Sequence, residues 1–187
     1  MTVNKQQLKK YIADSRSRFE DLLGQLVEVP SISMDPARAG EMPRAATLAV
    51  QYLKSLGADA QVVETGGYPI ISGGWTTGAD YPTVTIYNHL DVQPAQEPEW
   101  KESPFAFRKD GGIYHGRGAT DDKGPGAGGA ARGPLCDRAG RSHQHSLSVG
   151  VGGRDRQSAF RRRSPKSSSD STARLRRGVG HDLDRQR

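Results

Sequence analysis

Residues 83–126 read TVTIYNHLDVQPAQEPEWKESPFAFRKDGGIYHGRGATDDKGPG, and this stretch decides the fold. The run from Thr83 to Tyr87 is β-branched or aromatic, which predicts a buried β-strand. His89 and Asp91 follow at the end of that strand, where ligand groups commonly lie in an open α/β sheet. Because they are two residues apart, an extended chain points both to the same side. The sequence therefore predicts a site at the end of this strand.

The second half of the stretch, GRGATDDKG, predicts a glycine-rich turn that carries Asp121 and Asp122. Two adjacent carboxylates close to a His-x-Asp pair indicate a divalent cation bound by nitrogen and oxygen ligands. Asp91 is a candidate either to orient the His89 imidazole or to act on a ligand in the same pocket. The structural alternative is that the two aspartates cap the next helix and that His89 is a packed core residue.

Four motifs occur in a fixed order: N-H-L-D-V, P-E-W, S-P-F and D-G-x-I-Y-x-G-R-G-A-T-D-D-K-G-P. Together they closely resemble the di-zinc metallopeptidase family that includes carnosinase-like dipeptidases, glutamate carboxypeptidase, acetylornithine deacetylase and succinyl-diaminopimelate desuccinylase. The resemblance covers residues 5–126 and is greatest with the dipeptidase branch. It implies the N-terminal part of an α/β zinc-peptidase catalytic domain, in which helices flank a mixed sheet.

The resemblance also implies roles for individual residues. His89 would bind one of two zinc ions, Asp121 would bridge both, and Asp91 would be the catalytic-site carboxylate that supports the first ligand. In an intact relative the zinc ions polarise the scissile carbonyl and lower the pKa of a bridging water. A glutamate then accepts the proton of that water and passes it to the leaving amine.

The implied substrate is a small, dipeptide-like molecule, and the alternative within the family is an acyl-amino acid cleaved by an amide deacylase. The same resemblance implies that an intact enzyme of this family forms a homodimer. The family's glutamate pair, later aspartate and distal histidine have no aligned counterpart in this sequence. We therefore expect the chain as written to be inactive. The other histidines could be proposed as substitutes for the absent ligands, but we do not expect them to serve: His115, His143, His145 and His181.

The region upstream of the motif predicts two helices and two strands. Asn4 is a candidate cap for a helix that begins at Lys5, has an apolar face and ends by Pro30. A second helix is predicted over 43–56, closed by Gly57. Strands are predicted at 60–63 and 69–72, and a further short strand near Ile113.

The segment between the two halves of the site carries Trp100 and Phe105. These aromatic side chains are candidates to line a substrate pocket. The interpretation we favour is that they hold their loop against the domain.

The sequence predicts a cytoplasmic location for the chain. The N-terminus lacks a basic segment followed by an apolar core, and no run is long or apolar enough to cross a membrane. Cys136 is the single cysteine, which excludes an internal disulfide framework and is typical of a reducing compartment.

The composition changes abruptly after Pro125. Residues 1–125 carry 13 Lys plus Arg and 16 Asp plus Glu, a net charge of −3, whereas residues 126–187 carry 13 Arg, one Lys and five Asp, a net charge of +9. We expect 126–187 to be a disordered Arg/Gly/Ser-rich tail, because it has too little apolar surface to offset its ordering entropy. The glycines from Gly126 onward oppose the helix expected after Asp122.

Two interpretations of this tail remain open. In one, it is an arm that binds nucleic acid through phosphate contacts from Arg161, Arg162 and Arg163, although no aromatic residues are interleaved with them. In the other, which we favour, the tail is translated in the wrong frame. Codons shifted forward by one nucleotide are compatible with family-like strings in the family's order: G-A-P-I-N-I at 140–146, E-E-I-G-S-P-H-F at 153–161 and D-Y-A-V-V-S-D-T-I-W-I at 174–185. The slip is predicted between Gly126 and Gly140.

Overall fold

The computed structural model describes residues 4–76, 78, 80, 82–131 and 144–150. All of these residues belong to one compact unit, Met1–Arg156. The predicted tail from Gly126 onward therefore lies outside the described residues, except for 126–131 and 144–150. None of the helices in the described part of the chain is long and apolar enough to cross a membrane.

The first helix, α1, spans Lys5–Val27 and is capped as the sequence predicts. The Asn4 side chain accepts a hydrogen bond from the Gln7 backbone N–H, and the Gln7 side chain accepts one from the Asn4 N–H, so the two residues form a capping box. Burial is confined to the C-terminal end of the helix, at Leu22, Leu23, Gly24, Leu26 and Val27. This end, and not the N-terminal half, therefore anchors α1 to the domain.

The second helix, α2, spans Glu41–Ser55, and Gly57 follows it with φ of +83°, a conformation that favours glycine. Seven of its residues are buried: Met42, Ala45, Ala46, Ala49, Val50, Tyr52 and Leu53. Both upstream helices were predicted from the sequence; the start of α1 agrees, and the other ends agree to within three residues.

The main sheet has four strands in the order β1-β2-β6-β3. The strands are β1 (Asp59–Val63), β2 (Ile70–Trp75), β3 (Thr83–His89) and β6 (Gln144–Gly150). β6 runs antiparallel to β2 and parallel to β3, so the sheet is mixed, as predicted. The strands β4 (Arg108–Asp110) and β5 (Ile113–His115) form a separate antiparallel pair.

The helices pack on this sheet and on one another. α2 contacts β1 and β2, and α1 contacts α2. Leu23, Leu26, Met42, Leu53 and Ile71 are each at most 1% exposed and lie between these elements. The core is thus built from the C-terminal end of α1, from α2 and from the sheet.

The expectation that glycines prevent a helix after Asp122 is wrong. A third helix, α3, spans Lys123–Ala131 and contacts both α1 and β3. Ala127 and Ala130 are each 3% exposed, and Gly126 lies against Asn88. Small residues allow α3 to approach its neighbours closely, so tertiary packing overrides the poor intrinsic helix propensity of Gly126, Gly128 and Gly129.

The strand β6 is a second departure from the sequence prediction, which gave no regular structure after Gly126. It occupies the middle of the sheet, between β2 and β3. Gly126, where the predicted tail begins, lies inside α3.

Candidate metal centre

The predicted site residues lie at the end of β3 and in the turn before α3. His89 is the last residue of β3, and Asp91 follows two residues later. Asp121 and Asp122 directly precede α3. Because α3 packs on β3, this turn is brought to the strand end, so residues more than 30 positions apart in sequence meet.

The His89 ring connects the two halves of the site. Its Nε2 atom lies 3.1 Å from Asp121 Oδ1. Its Nδ1 atom lies 3.0 Å from the main-chain oxygen of Asp91 and 3.6 Å from the carboxylate oxygen Oδ1 of the same residue. The main-chain oxygen is therefore the nearer acceptor for Nδ1, and Nε2 is the nitrogen that faces Asp121.

Asp122 ties the turn to β3. Its Oδ2 atom accepts a hydrogen bond from Asn88 Nδ2 at 2.9 Å and one from the His89 backbone N–H at 3.2 Å. Its carboxylate thus binds the strand, contrary to the alternative in which both aspartates cap the next helix. The Asp121 side chain is 74% exposed, whereas that of His89 is 23% exposed. One carboxylate of the pair is consequently used for anchoring and the other is open to a ligand.

Lys123 is a residue whose role was not predicted from the sequence. It is 0% exposed, and its Nζ donates to the main-chain oxygens of Leu26 at 2.7 Å and Val29 at 2.8 Å. Burial lowers the pKa of this lysine to about 7, against the opposing effect of the nearby negative charges of Asp91 and Glu41. Lys123 therefore joins the start of α3 to the carbonyl groups at the end of α1.

The glycine-rich turn packs closely against the same region. Gly118 has φ of +88°, and a Cβ atom there would lie 2.8 Å from Val92 Cγ1 and 2.9 Å from Lys123 Cδ. Only glycine gives both the backbone conformation and the space. This close approach sets the position from which Asp121 reaches His89.

Ser33 is a second residue missed as a functional candidate. Its hydroxyl donates to Asp91 Oδ2 at 2.8 Å. The nearby Ser31 hydroxyl donates to the Leu90 main-chain oxygen at 2.6 Å, and the Val92 N–H donates back to the Ser31 oxygen at 2.9 Å. Ser33 lies in the segment V-P-S-I-S at 29–33, directly after α1, and its bond to Asp91 becomes visible only in three dimensions.

The loop between β3 and β4 is held by contacts of its own. Trp100 Nε1 donates to Glu97 Oε2 at 3.0 Å, and the Arg117 guanidinium lies 5.4 Å from the Trp100 ring centroid. The same ring lines a cleft of about 350 Å³ together with Arg108 and His115. Trp100 thus secures its loop, the interpretation favoured from the sequence, and also borders a cleft that Phe105 does not line.

The donor set at His89 suits zinc. An imidazole nitrogen and a carboxylate oxygen are ordinary zinc ligands, and the contact of Nδ1 with a carbonyl oxygen leaves Nε2 to face the metal. Among the described residues, no group of three or more His, Cys, Asp or Glu side chains converges on one point. His143 and His181 lie outside the described residues, and His145 is described only by its backbone position in β6. The described part therefore supplies two candidate ligands.

A family model for peptidase family M20/M25/M40 matches residues 85–151, a range that includes β3 from its third residue onward, the glycine-rich turn and β6. The match continues past Gly126, whereas the resemblance read from the sequence ended there.

Two curated relatives are similar over most of the described chain. The Cys-Gly metallodipeptidase of Schizosaccharomyces pombe is 34% identical over 137 residues, which cover 67% of this chain and 29% of the relative. The Beta-Ala-His dipeptidase of Rattus norvegicus is 34% identical over 134 residues, which cover 64% and 27%.

The crystal structure of human carnosine dipeptidase 1 superposes with a TM-score of 0.70 and 25% identity, over 82% of this chain and 36% of that one. This chain thus spans about a third or less of the length of the relatives it matches. Sequence motifs and fold agree, and the chain belongs to the peptidase family M20/M25/M40.

Proposed function

We propose that this chain is the N-terminal, metal-binding part of a zinc-dependent, dipeptidase-like hydrolase. The observation that supports it most is the approach of His89 Nε2 to Asp121 Oδ1 at 3.1 Å, made by two segments that the fold brings together. His89 and Asp121 would hold zinc, and Asp91 would support the His89 ring from the other side. Bound zinc would supply a Lewis acid that polarises the scissile carbonyl and lowers the pKa of water.

The residues of this chain would act by orienting the His89 ring and the turn that carries Asp121. The Asp91 carbonyl would hold Nδ1–H, so that Nε2 carries the lone pair toward the metal. Asp122 would keep the glycine-rich turn against β3 through its bonds to Asn88 and His89. Two zinc ions are implied for an intact enzyme of this family, and the remaining ligands would have to come from residues beyond β6.

The names of these relatives favour a dipeptide substrate, since one is named for Cys-Gly and the other for Beta-Ala-His. An amide deacylase of the same family would use the same metal site as a dipeptidase. It would differ in the residues that bind the acyl group of the substrate. For the intact enzyme we propose a homodimer, as the family resemblance implies, and a location in the cytoplasm.

Metal binding by the full chain tests the site. Cobalt(II) is a suitable probe, because its visible absorption reports ligand type and number. We expect His89→Ala to weaken cobalt affinity by at least about tenfold, and Asp121→Asn to do the same, as expected for direct ligands. The measurement is an absorption titration, with zinc added afterwards as a competitor.

His115→Ala is the matched control, because His115 lies in β5 at the cleft bordered by Trp100. It should bind cobalt as the unchanged chain does. Equal affinity in the His89→Ala variant and the unchanged chain would overturn the proposed site.

We further propose that the chain as written lacks peptidase activity and that 126–187 is read out of frame. The support is the family-like order of the three shifted strings and the change in net charge from −3 to +9. An arginine-rich arm for nucleic acid is the competing proposal. It requires polyanion binding with a steep salt dependence that disappears when 126–187 is deleted.

A further inference from the structure

The Asp91 carboxylate has a hydrogen-bond partner, Ser33, that is not one of the candidate metal ligands. Ser33 Oγ donates to Asp91 Oδ2 at 2.8 Å, while Asp91 Oδ1 lies 3.6 Å from His89 Nδ1. The carboxylate is only 16% exposed, so water has limited access to replace a lost partner. The Ser33 hydroxyl is therefore the side-chain partner that sets the rotation of this carboxylate.

Ser33 is itself fixed by the surrounding chain. Tyr68 Oη donates to the Ser33 main-chain oxygen at 3.0 Å, which ties the serine to the segment before β2. The bonds of Ser31 with Leu90 and Val92 lay the loop after α1 along the chain that follows β3. A short side chain on a fixed backbone has few positions available, so its hydroxyl is already oriented when Asp91 folds against it.

Without Ser33, other charges would compete for the carboxylate. The buried Lys123 ammonium interacts electrostatically with Asp91. The His89 ring lies on the other side of the same carboxylate. Release of Oδ2 would allow the carboxylate to turn toward either neighbour, which would change the charge presented to the ring.

We propose that Ser33 is a positioning residue for the metal site: its hydroxyl fixes the Asp91 carboxylate, and that carboxylate presents its negative charge to the His89 ring, whose Nδ1 is held by the Asp91 main-chain oxygen. This inference rests on the proposed function, since it assumes that His89 binds metal. Ser33 touches neither a metal ligand nor a substrate directly in this arrangement. Its effect should consequently be smaller than the 10–100-fold typical for a direct partner of a ligand.

The test compares the full-length chain with Ser33→Ala, Ser33→Thr and Ser15→Ala in cobalt(II) titrations. Ser33→Ala should weaken affinity by about threefold to tenfold and change the absorption band at saturating cobalt. Ser33→Thr retains the hydroxyl and should recover both properties. Ser15→Ala is the control, because that hydroxyl donates to main-chain oxygens within α1, at Tyr11 and Ile12.

A second background separates positioning from a general loss of stability. In an Asp91→Ala chain, the further change Ser33→Ala should have no additional effect on cobalt affinity or on the absorption band. A loss of the same size in both backgrounds, or equal affinity and spectrum for Ser33→Ala and the unchanged chain, would overturn the inference. Failure of the proposed function looks different, because His89→Ala would then leave cobalt binding unchanged.

Discussion

At the scale of single residues, Lys123 lies within the D-D-K-G-P motif, but its structural role was not predicted from the sequence. It places an ammonium group in the core, where its bonds to the Leu26 and Val29 oxygens hold the end of α1. The sequence predicted His89 and Asp121 as candidate metal ligands, because His, Asp and their spacing are informative by themselves. Lys123 was not predicted, because a lysine in a turn is ordinarily solvated and only packing reveals that this one is buried.

Burial of Lys123 predicts a specific dependence of stability on pH. Its pKa is about 7 in the folded chain, below the value near 10.4 expected when unfolded. Between these values the unfolded state binds more protons, so the free energy of unfolding should rise with pH by at most about 1.4 kcal/mol per pH unit. Below pH 7 both states are protonated and the contribution of this lysine is constant.

Denaturant unfolding of the full chain between pH 6 and 10 measures this effect. Lys123→Met removes the titrating group while retaining the length of the side chain, and should flatten the rise. Lys109→Met is the control, because Lys109 is about half exposed in its ion pair with Glu20. An identical pH dependence for the unchanged chain and Lys123→Met would contradict the prediction.

At the scale of elements, α3 is where propensity and packing disagree. Its sequence, KGPGAGGAA, has a poor intrinsic preference for helix, yet the segment forms nine residues of helix against α1 and β3. The glycines do not all serve the same purpose. A Cβ on Gly124 would overlap the Ala119 carbonyl, whereas a Cβ on Gly128 would have Phe19 Cε2 as its nearest neighbour at 3.9 Å.

These two positions form a matched pair for substitution. Gly124→Ala should destabilise the domain by about 1–3 kcal/mol, because the turn before α3 must move to admit the methyl group. Gly128→Ala should stabilise it by about 0.5–1 kcal/mol through improved helix propensity. Thermal or denaturant unfolding of both variants provides the measurement, and equal effects would mean that α3 does not pack as described.

At the scale of the whole molecule, the central position of β6 in the sheet allows the two reading frames to be compared at one residue. Position 145 pairs in register with Trp75 on β2 and Val84 on β3. Trp75 is 6% exposed. The chain as written has His145 at this position, and the frame shifted by one nucleotide permits isoleucine. An apolar, β-branched residue is the better partner for a central strand.

Shifting the frame forward by one nucleotide between codons 126 and 140 should therefore restore function. We expect the product of the shifted gene to hydrolyse Cys-Gly or β-Ala-His in the presence of zinc, and the chain as written to show no turnover. The first step is to resequence the gene across codons 123–146 and past the stop. Stop codons in the shifted frame within the three family-like strings would refute the frameshift and leave the arginine-rich arm as the explanation of the tail.

The sequence alone determined the family, the cap of α1, both upstream helices and the strand that ends at His89, because these depend on local pattern and motif spacing. Only the tertiary structure decided that α3 forms, that β6 lies between β2 and β3, that Ser33 bonds to Asp91 and that Lys123 is buried against the end of α1. Each of these features depends on contacts between segments far apart in the chain. Local propensity does not contain that information, since close packing of small residues and burial of a charge are set by what surrounds them.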